Sequence, residues 1–355
     1  MLNKKKNNKQ YISRGSYGCV VKPPYKCKGT VEFKNPHASL QESVSKIFDA
    51  RSVARSKSNM SMELVKTAKI MKIDPQSKFT VKINYACQTN VDEATIDTCN
   101  RHRSKRLATP IYKNVSEIIS ENGGKEYDKI SPMRVELFMD KFVPIIQGLK
   151  TMTRHEYCHR DIKPGNMLYD SAKNKHVIID FGLMKAFARL YEHDQYPVFS
   201  YLYAYYPPEF SLLAYFFDKS NTVNDMLHEL KHDPIKQYLK RNMVKSHISS
   251  IFAHYHTLKY KQIDSFIVSV KTFLTKNRHV FVKQSKLAIL KELGKFCDPA
   301  KIDIYSLGVT LMQMYHWGKI TGSGVSKLFL EMTCMNPIDR PNHDVVISMV
   351  KALRR

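Results

Sequence analysis

Two carboxylates and one amide stand at a spacing that could do chemistry on a phosphate. Asp161 and Asn166 lie in His159-Arg160-Asp161-Ile162-Lys163-Pro164-Gly165-Asn166, and Asp180 lies in Val177-Ile178-Ile179-Asp180-Phe181-Gly182. A carboxylate such as Asp161 can accept or orient the proton of an attacking hydroxyl. A second carboxylate, Asp180, together with the amide oxygen of Asn166, can hold Mg2+ against phosphate oxygens. Lys163, two residues beyond Asp161, can neutralise charge on a group in transfer. Near the start, Ile12-Ser13-Arg14-Gly15-Ser16-Tyr17-Gly18-Cys19-Val20 puts two glycines in a turn. Backbone N–H groups at Gly15 and Gly18 can approach phosphates where no Cβ intervenes.

These segments resemble the signature motifs of eukaryotic-type protein kinases. The first two are similar to H-R-D-x-x-x-x-N and D-F-G. The third is similar to G-x-G-x-x-G-x-V, with Ser13 replacing the first glycine. Three later features are similar to segments of the same family. Tyr206-Pro207-Pro208-Glu209 resembles A-P-E, and Asp303-Ile304-Tyr305-Ser306-Leu307-Gly308 resembles D-x-W-S-x-G. Arg340 in Pro337-Ile338-Asp339-Arg340-Pro341 matches the arginine that pairs with the A-P-E glutamate, here Glu209. The resemblance runs from Ile12 to the last helix.

The resemblance implies transfer of the γ-phosphate of ATP, with Mg2+, to hydroxyls of protein substrates, and Lys163 accompanies serine/threonine specificity in that family. It implies Asp161 and Lys163 as catalytic residues and Asn166 and Asp180 as metal ligands. Nucleotide contacts are implied for Ile12, Gly15, Ser16, Tyr17, Gly18, Val20, Lys46, Glu63 and Glu121. The phosphate-anchoring lysine has two candidates. Val31-Glu32-Phe33-Lys34 stands at the usual distance from the glycine turn, and Val44-Ser45-Lys46-Ile47 is displaced by an insertion. The lysine needs a glutamate partner on the helix that follows. Glu63 lies 17 residues after Lys46 and 29 after Lys34, which favours Lys46.

The implied fold is α+β and bilobal. Residues 1–10 form a basic tail, and 11–121 a strand-rich N-lobe with one main helix. Residues 122–355 form a helical C-lobe with an insertion at about 211–300. The pattern predicts a hairpin over 11–21 ended by Pro23-Pro24, an irregular insertion over 25–43, and strands at 43–48, 79–84 and 115–120. It predicts a helix over 58–73 stopped by Asp74-Pro75. A single long buried helix is expected over 135–157, its apolar face including Leu137, Phe138, Phe142, Ile145, Ile146, Leu149 and Met152.

Composition bounds the rest. No apolar run approaches the ~20 residues that span a bilayer. Seven cysteines, odd in number and without C-x-x-C, lead to an expectation of reduced thiols and a cytoplasmic setting. The net charge of +25 attracts polyanions, so acidic partners or nucleic acid are admitted, although no aromatic-interleaved basic motif appears. Residues 211–300 carry 15 Lys and Arg against 7 Asp and Glu, and Ile251, Phe252, Tyr255 and Leu258 show helical spacing. From Asp180 to Glu209 there is no threonine, one serine (Ser200) and six tyrosines. Arg160 there either receives a phosphate or only braces the segment. The opening Gly15 to Pro24, Val44-Ser45-Lys46-Ile47, Asn122-Gly123-Gly124 and the Lys/Asn/Tyr bias resemble kinases of large cytoplasmic DNA viruses. Rival readings are a pseudokinase or basic scaffold, a small-molecule kinase, and a nucleic-acid-binding protein.

Overall fold

In a computed structural model of the chain, the structure describes residues 10–15, 18–32, 43–48, 57–92, 94–95, 97, 115–198, 203–231, 234–245 and 255–353. The chain divides into two compact units, Met1–Gly124 and Lys125–Arg355.

The first unit is built on a six-stranded antiparallel sheet. Its strands are β1 (Gln10–Gly15), β2 (Gly18–Lys22), β3 (Lys28–Glu32), β4 (Ser43–Phe48), β5 (Ile83–Thr89) and β6 (Val115–Glu121), in the order β1-β2-β4-β6-β5-β3. β2 stops where Pro23 and Pro24 remove two ladder donors. On β4, Ser43, Ser45 and Ile47 are buried while Val44 and Lys46 are half-buried, the two-residue period of a strand with one closed face. Helix α1 (Lys57–Ile73) buries Thr67, Ile70 and Ile73 along one side. After it, the Asp74 carboxylate accepts from the N–H groups of Lys78, Phe79 and Thr80 and from the Thr80 hydroxyl.

Three expectations change here. The strand predicted over 79–84 begins only at Ile83, because Asp74 draws the preceding N–H groups into a turn. The predicted irregular insertion contains an edge strand, β3, which pairs with β5 through Lys28 opposite Gln88 and Glu32 opposite Ala86. The expectation of reduced thiols also fails in this unit. The same pairing brings Cys27 and Cys87 together, Cα atoms 5.6 Å apart, as a disulfide. Cys27, Cys87 and Glu117 have the side-chain types of a metal site. The disulfide leaves neither sulfur as a thiolate ligand.

The second unit is mainly helical. Short strands β7 (Lys125–Glu126) and β8 (Met133–Arg134) precede α2 (Val135–Asp140) and α3 (Val143–Arg154). The single helix expected over 135–157 is thus two. Pro144 has no N–H to give the Asp140 carbonyl, so the helix ends and a new one starts with proline in its first turn. Leu137, expected in the core, is exposed, whereas Phe138, Phe142, Ile145, Ile146, Leu149 and Met152 are buried. Next come β9 (Tyr157–Cys158), the hairpin β10 (Met167–Asp170) and β11 (Lys175–Ile178), and β12 (Lys185–Ala186).

Helices fill the remainder: α4 (Pro208–Lys219), α5 (Val223–Glu229), α6 (Pro234–Lys245), α7 (His256–Lys276), α8 (Arg278–Phe281), α9 (Lys286–Phe296) and α10 (Ile302–His316). β13 (Ile320–Thr321), α11 (Ser326–Met332) and α12 (His343–Ala352) complete the described chain. Ile251 and Phe252 lie outside the described residues. α10 is buried from Ile302 to Met314 and is the axis of this unit. Gly308 lets α11 approach it, since a Cβ there would sit 2.7 Å from Met332 Cβ and 2.9 Å from Thr333 Cγ2. Cys158, Cys297 and Cys334 are free thiols, all buried. Among the described residues no helix is long and apolar enough to cross a membrane.

Candidate active site

The loop after β9 owes its shape to Asp303 at the start of α10. The Asp303 carboxylate accepts from the backbone N–H of His159 at 2.6 Å and of Arg160 at 2.9 Å. Burial pushes the Asp303 carboxyl up from its ordinary value, while His159, Arg160 and these two N–H groups pull the other way. Arg160 is held at φ 69°, a left-handed conformation that a non-glycine residue adopts only when its surroundings impose it. His159 ties the loop to the next motif. Its Nδ1 accepts from the Asp161 N–H at 3.2 Å, which leaves Nε2–H to donate to the Ile179 carbonyl at 3.2 Å. Its ring meets Phe181 edge to face, centroids 4.8 Å apart.

This scaffold brings Asp161, Lys163 and Asn166 into direct contact. Lys163 Nζ lies 3.0 Å and 2.8 Å from the two carboxylate oxygens of Asp161. Asn166 Nδ2 donates to Asp161 Oδ2 at 2.7 Å and to the Asp161 carbonyl at 2.8 Å. Both amide hydrogens of Asn166 are therefore turned to Asp161, and its oxygen is the atom left to face a cation. The β10–β11 hairpin pairs Met167 with Ile178, and the Ile179 N–H donates to the Asn166 carbonyl at 3.0 Å. That pairing sets Asp180 one residue from Asn166's partner. Asp180 is itself left-handed, φ 64°, and its carboxylate accepts from the Gly182 N–H at 3.4 Å. A carboxylate and an amide oxygen are hard donors, a set that suits Mg2+.

Gln195 and Tyr203, in the segment between Asp180 and Glu209, reach back to this loop, and nothing in the sequence singled them out. Gln195 accepts from Arg160 Nη1 at 2.9 Å. The Tyr203 hydroxyl donates to Asp161 Oδ1. Neither has a local signal, because each contact spans more than thirty residues and depends on how the segment folds back. At the far end Glu209 and Arg340, both fully buried, form the expected pair, bidentate at 2.9 Å and 3.0 Å.

The remaining candidates belong to the first unit. Ile12 sits at the β1 register shift between Tyr11 and Ser13, and the Gly15 and Gly18 backbones are paired at the end of the β1–β2 hairpin. Ser16, Tyr17 and Lys34 lie outside the described residues. Val20 pairs with Lys46 and Lys46 with Ile118, so these three side chains share one face of the sheet. Glu63 is on α1, its side chain outside those described. Glu121 closes β6, its N–H donating to the Lys82 carbonyl at 2.9 Å and its carboxylate accepting from the Lys82 N–H at 3.0 Å.

Residues 115–220 of the chain match the family model of the protein kinase domain. The matched stretch contains the loop of Asp161, the Asp180 motif and Glu209. Those residues carry a mixed helix and strand content that fits the α+β kinase fold, and the match supports a eukaryotic-type protein kinase.

Proposed function

We propose that this protein is an ATP- and Mg2+-dependent serine/threonine kinase acting on proteins, of the kind found in large cytoplasmic DNA viruses. The observation that carries the reading is the hydrogen-bonded set of Asp161, Lys163 and Asn166, one backbone step from Asp180. In this reading Asp161 orients the incoming hydroxyl and takes its proton as transfer proceeds. Lys163 moves from Asp161 onto the transferring phosphoryl group, where its charge is needed most in the transition state. Asn166 and Asp180 hold Mg2+, which when bound neutralises phosphate charge. Gly15, Gly18, Val20, Lys46 and the Glu121 region bind the nucleotide, with Glu63 as the partner of Lys46.

The proposed lobes are 11–121 and 122–355, and the helices over about 211–300 are a basic insertion whose charge favours acidic protein substrates. The test is phosphorylation of a degenerate peptide library by the wild type and by Asp161→Asn. Transfer to serine or threonine peptides that falls by about 10²–10⁴ in the variant is expected. Equal transfer by both proteins, or none by the wild type with MgATP, defeats the reading.

A further inference from the structure

Tyr203 sits on the carboxylate of Asp161 in a way the motifs do not require. Its ring is packed against Tyr205, centroids 5.3 Å apart, and Tyr206, 4.8 Å apart. Its hydroxyl donates to Asp161 Oδ1, and Lys163 Nζ lies 5.8 Å from the centre of its ring. Oδ1 of Asp161 thus receives Tyr203 and Lys163, and Oδ2 receives Lys163 and Asn166. A carboxylate offers about four lone-pair sites, so this one is saturated.

A substrate hydroxyl can reach a saturated carboxylate only when one donor leaves. The three donors are not equally free to go. Asn166 is held a second time by the Asp161 carbonyl, and Tyr203 is held by its ring contacts. Lys163 carries a point charge on a flexible stem, and its side chain is 31% exposed. Burial raises the Tyr203 phenol well above its ordinary range, and the Asp161 charge adds to this, so the hydroxyl remains a donor at any working pH.

We propose that Tyr203 is a positioning residue for phosphate transfer: it keeps one donor on Asp161 Oδ1, as Asn166 does on Oδ2, so that only the lone pairs vacated by Lys163 are open to the substrate hydroxyl. The proposal rests on the kinase reading above. It also makes the end of the segment between Asp180 and Glu209 part of the base, since a displaced segment takes the Tyr203 hydroxyl with it.

The experiment uses the full chain, radiolabelled MgATP and the degenerate serine/threonine peptide library. Tyr203→Phe keeps the ring and its contacts and loses only the hydroxyl. It is expected to lower kcat about tenfold to a hundredfold while KM for ATP stays within about twofold. In an Asp161→Asn background the same change alters the residual rate by less than about twofold, because its partner is already altered. The control is Tyr205→Phe, whose hydroxyl bonds Gln313 and not Asp161, and its kcat stays within about twofold of wild type. Thermal melting and MgADP calorimetry test whether each variant is folded. Wild-type kcat in Tyr203→Phe, equal losses in both backgrounds, or failure of Tyr203→Phe to fold overturns the proposal. A wild type without transfer overturns the kinase reading itself, and this proposal with it.

Discussion

At the scale of single residues, the Asp161 loop was legible because the proposed chemistry needs fixed atom types at fixed offsets. Asp161, Lys163 and Asn166 lie within one short loop, and no other part of the chain has to be known to see them as a set. Tyr203 and Gln195 were not legible for the opposite reason. Each is one polar residue in a segment crowded with them, and only its fold selects which one reaches back. Asp303 lies between these cases: the sequence marked it by its motif, and only the fold shows its two N–H contacts to the loop. Asp303→Ala strands two buried N–H groups at His159 and Arg160. A stability loss of about 2–4 kcal/mol is expected in denaturant titration, together with a fall in kcat.

The elements of the second unit show how neutral contacts set the Asp161 loop. Arg160 is met by the amide of Gln195, with Phe210 6.0 Å from its guanidinium carbon. Phosphatase-treated protein should therefore keep its turnover. Gln195→Ala should lower kcat several-fold, and Gln195→Glu, which substitutes a charged acceptor, should retain it. The insertion touches the same segment through α9. A Cβ on Gly294 would lie 2.6 Å from two atoms of the Tyr191 ring, so Gly294→Ala must displace a buried tyrosine. A loss of about 1–3 kcal/mol is expected by thermal melting, an overpacking cost. Gly294 carried no sequence signal, since its neighbour is about a hundred residues away. The break at Pro144 was readable from proline chemistry alone, yet the apolar spacing on both sides of it argued for continuity. β3 was hidden because its partner β5 lies more than fifty residues on, and strand pairing of that kind leaves no local period.

The whole molecule has a pH signature and an uneven redox state. Burial holds His176 and His343 down to about 4, against an ordinary value of 6.5. Between those values the unfolded chain binds protons that the folded chain refuses. Their contribution to stability is then full above pH 6.5, declines as pH falls toward 4, and is lost below it. Each histidine contributes roughly 3 kcal/mol over that window, and calorimetric melts from pH 7.5 to 4 should show the fall, with a shallower slope in His176→Gln. The described disulfide lies in the first unit and the three free thiols are buried in the second. Covalent closure of a loop of sixty residues is worth about 4 kcal/mol in the chain-entropy account, and only the first unit holds such a closure among the described residues. Dithiothreitol in the buffer thus changes the first unit and leaves the described thiols of the second as they are. Protein made in a reducing host and protein matured under air are two different reagents, and rates measured on them should not be pooled.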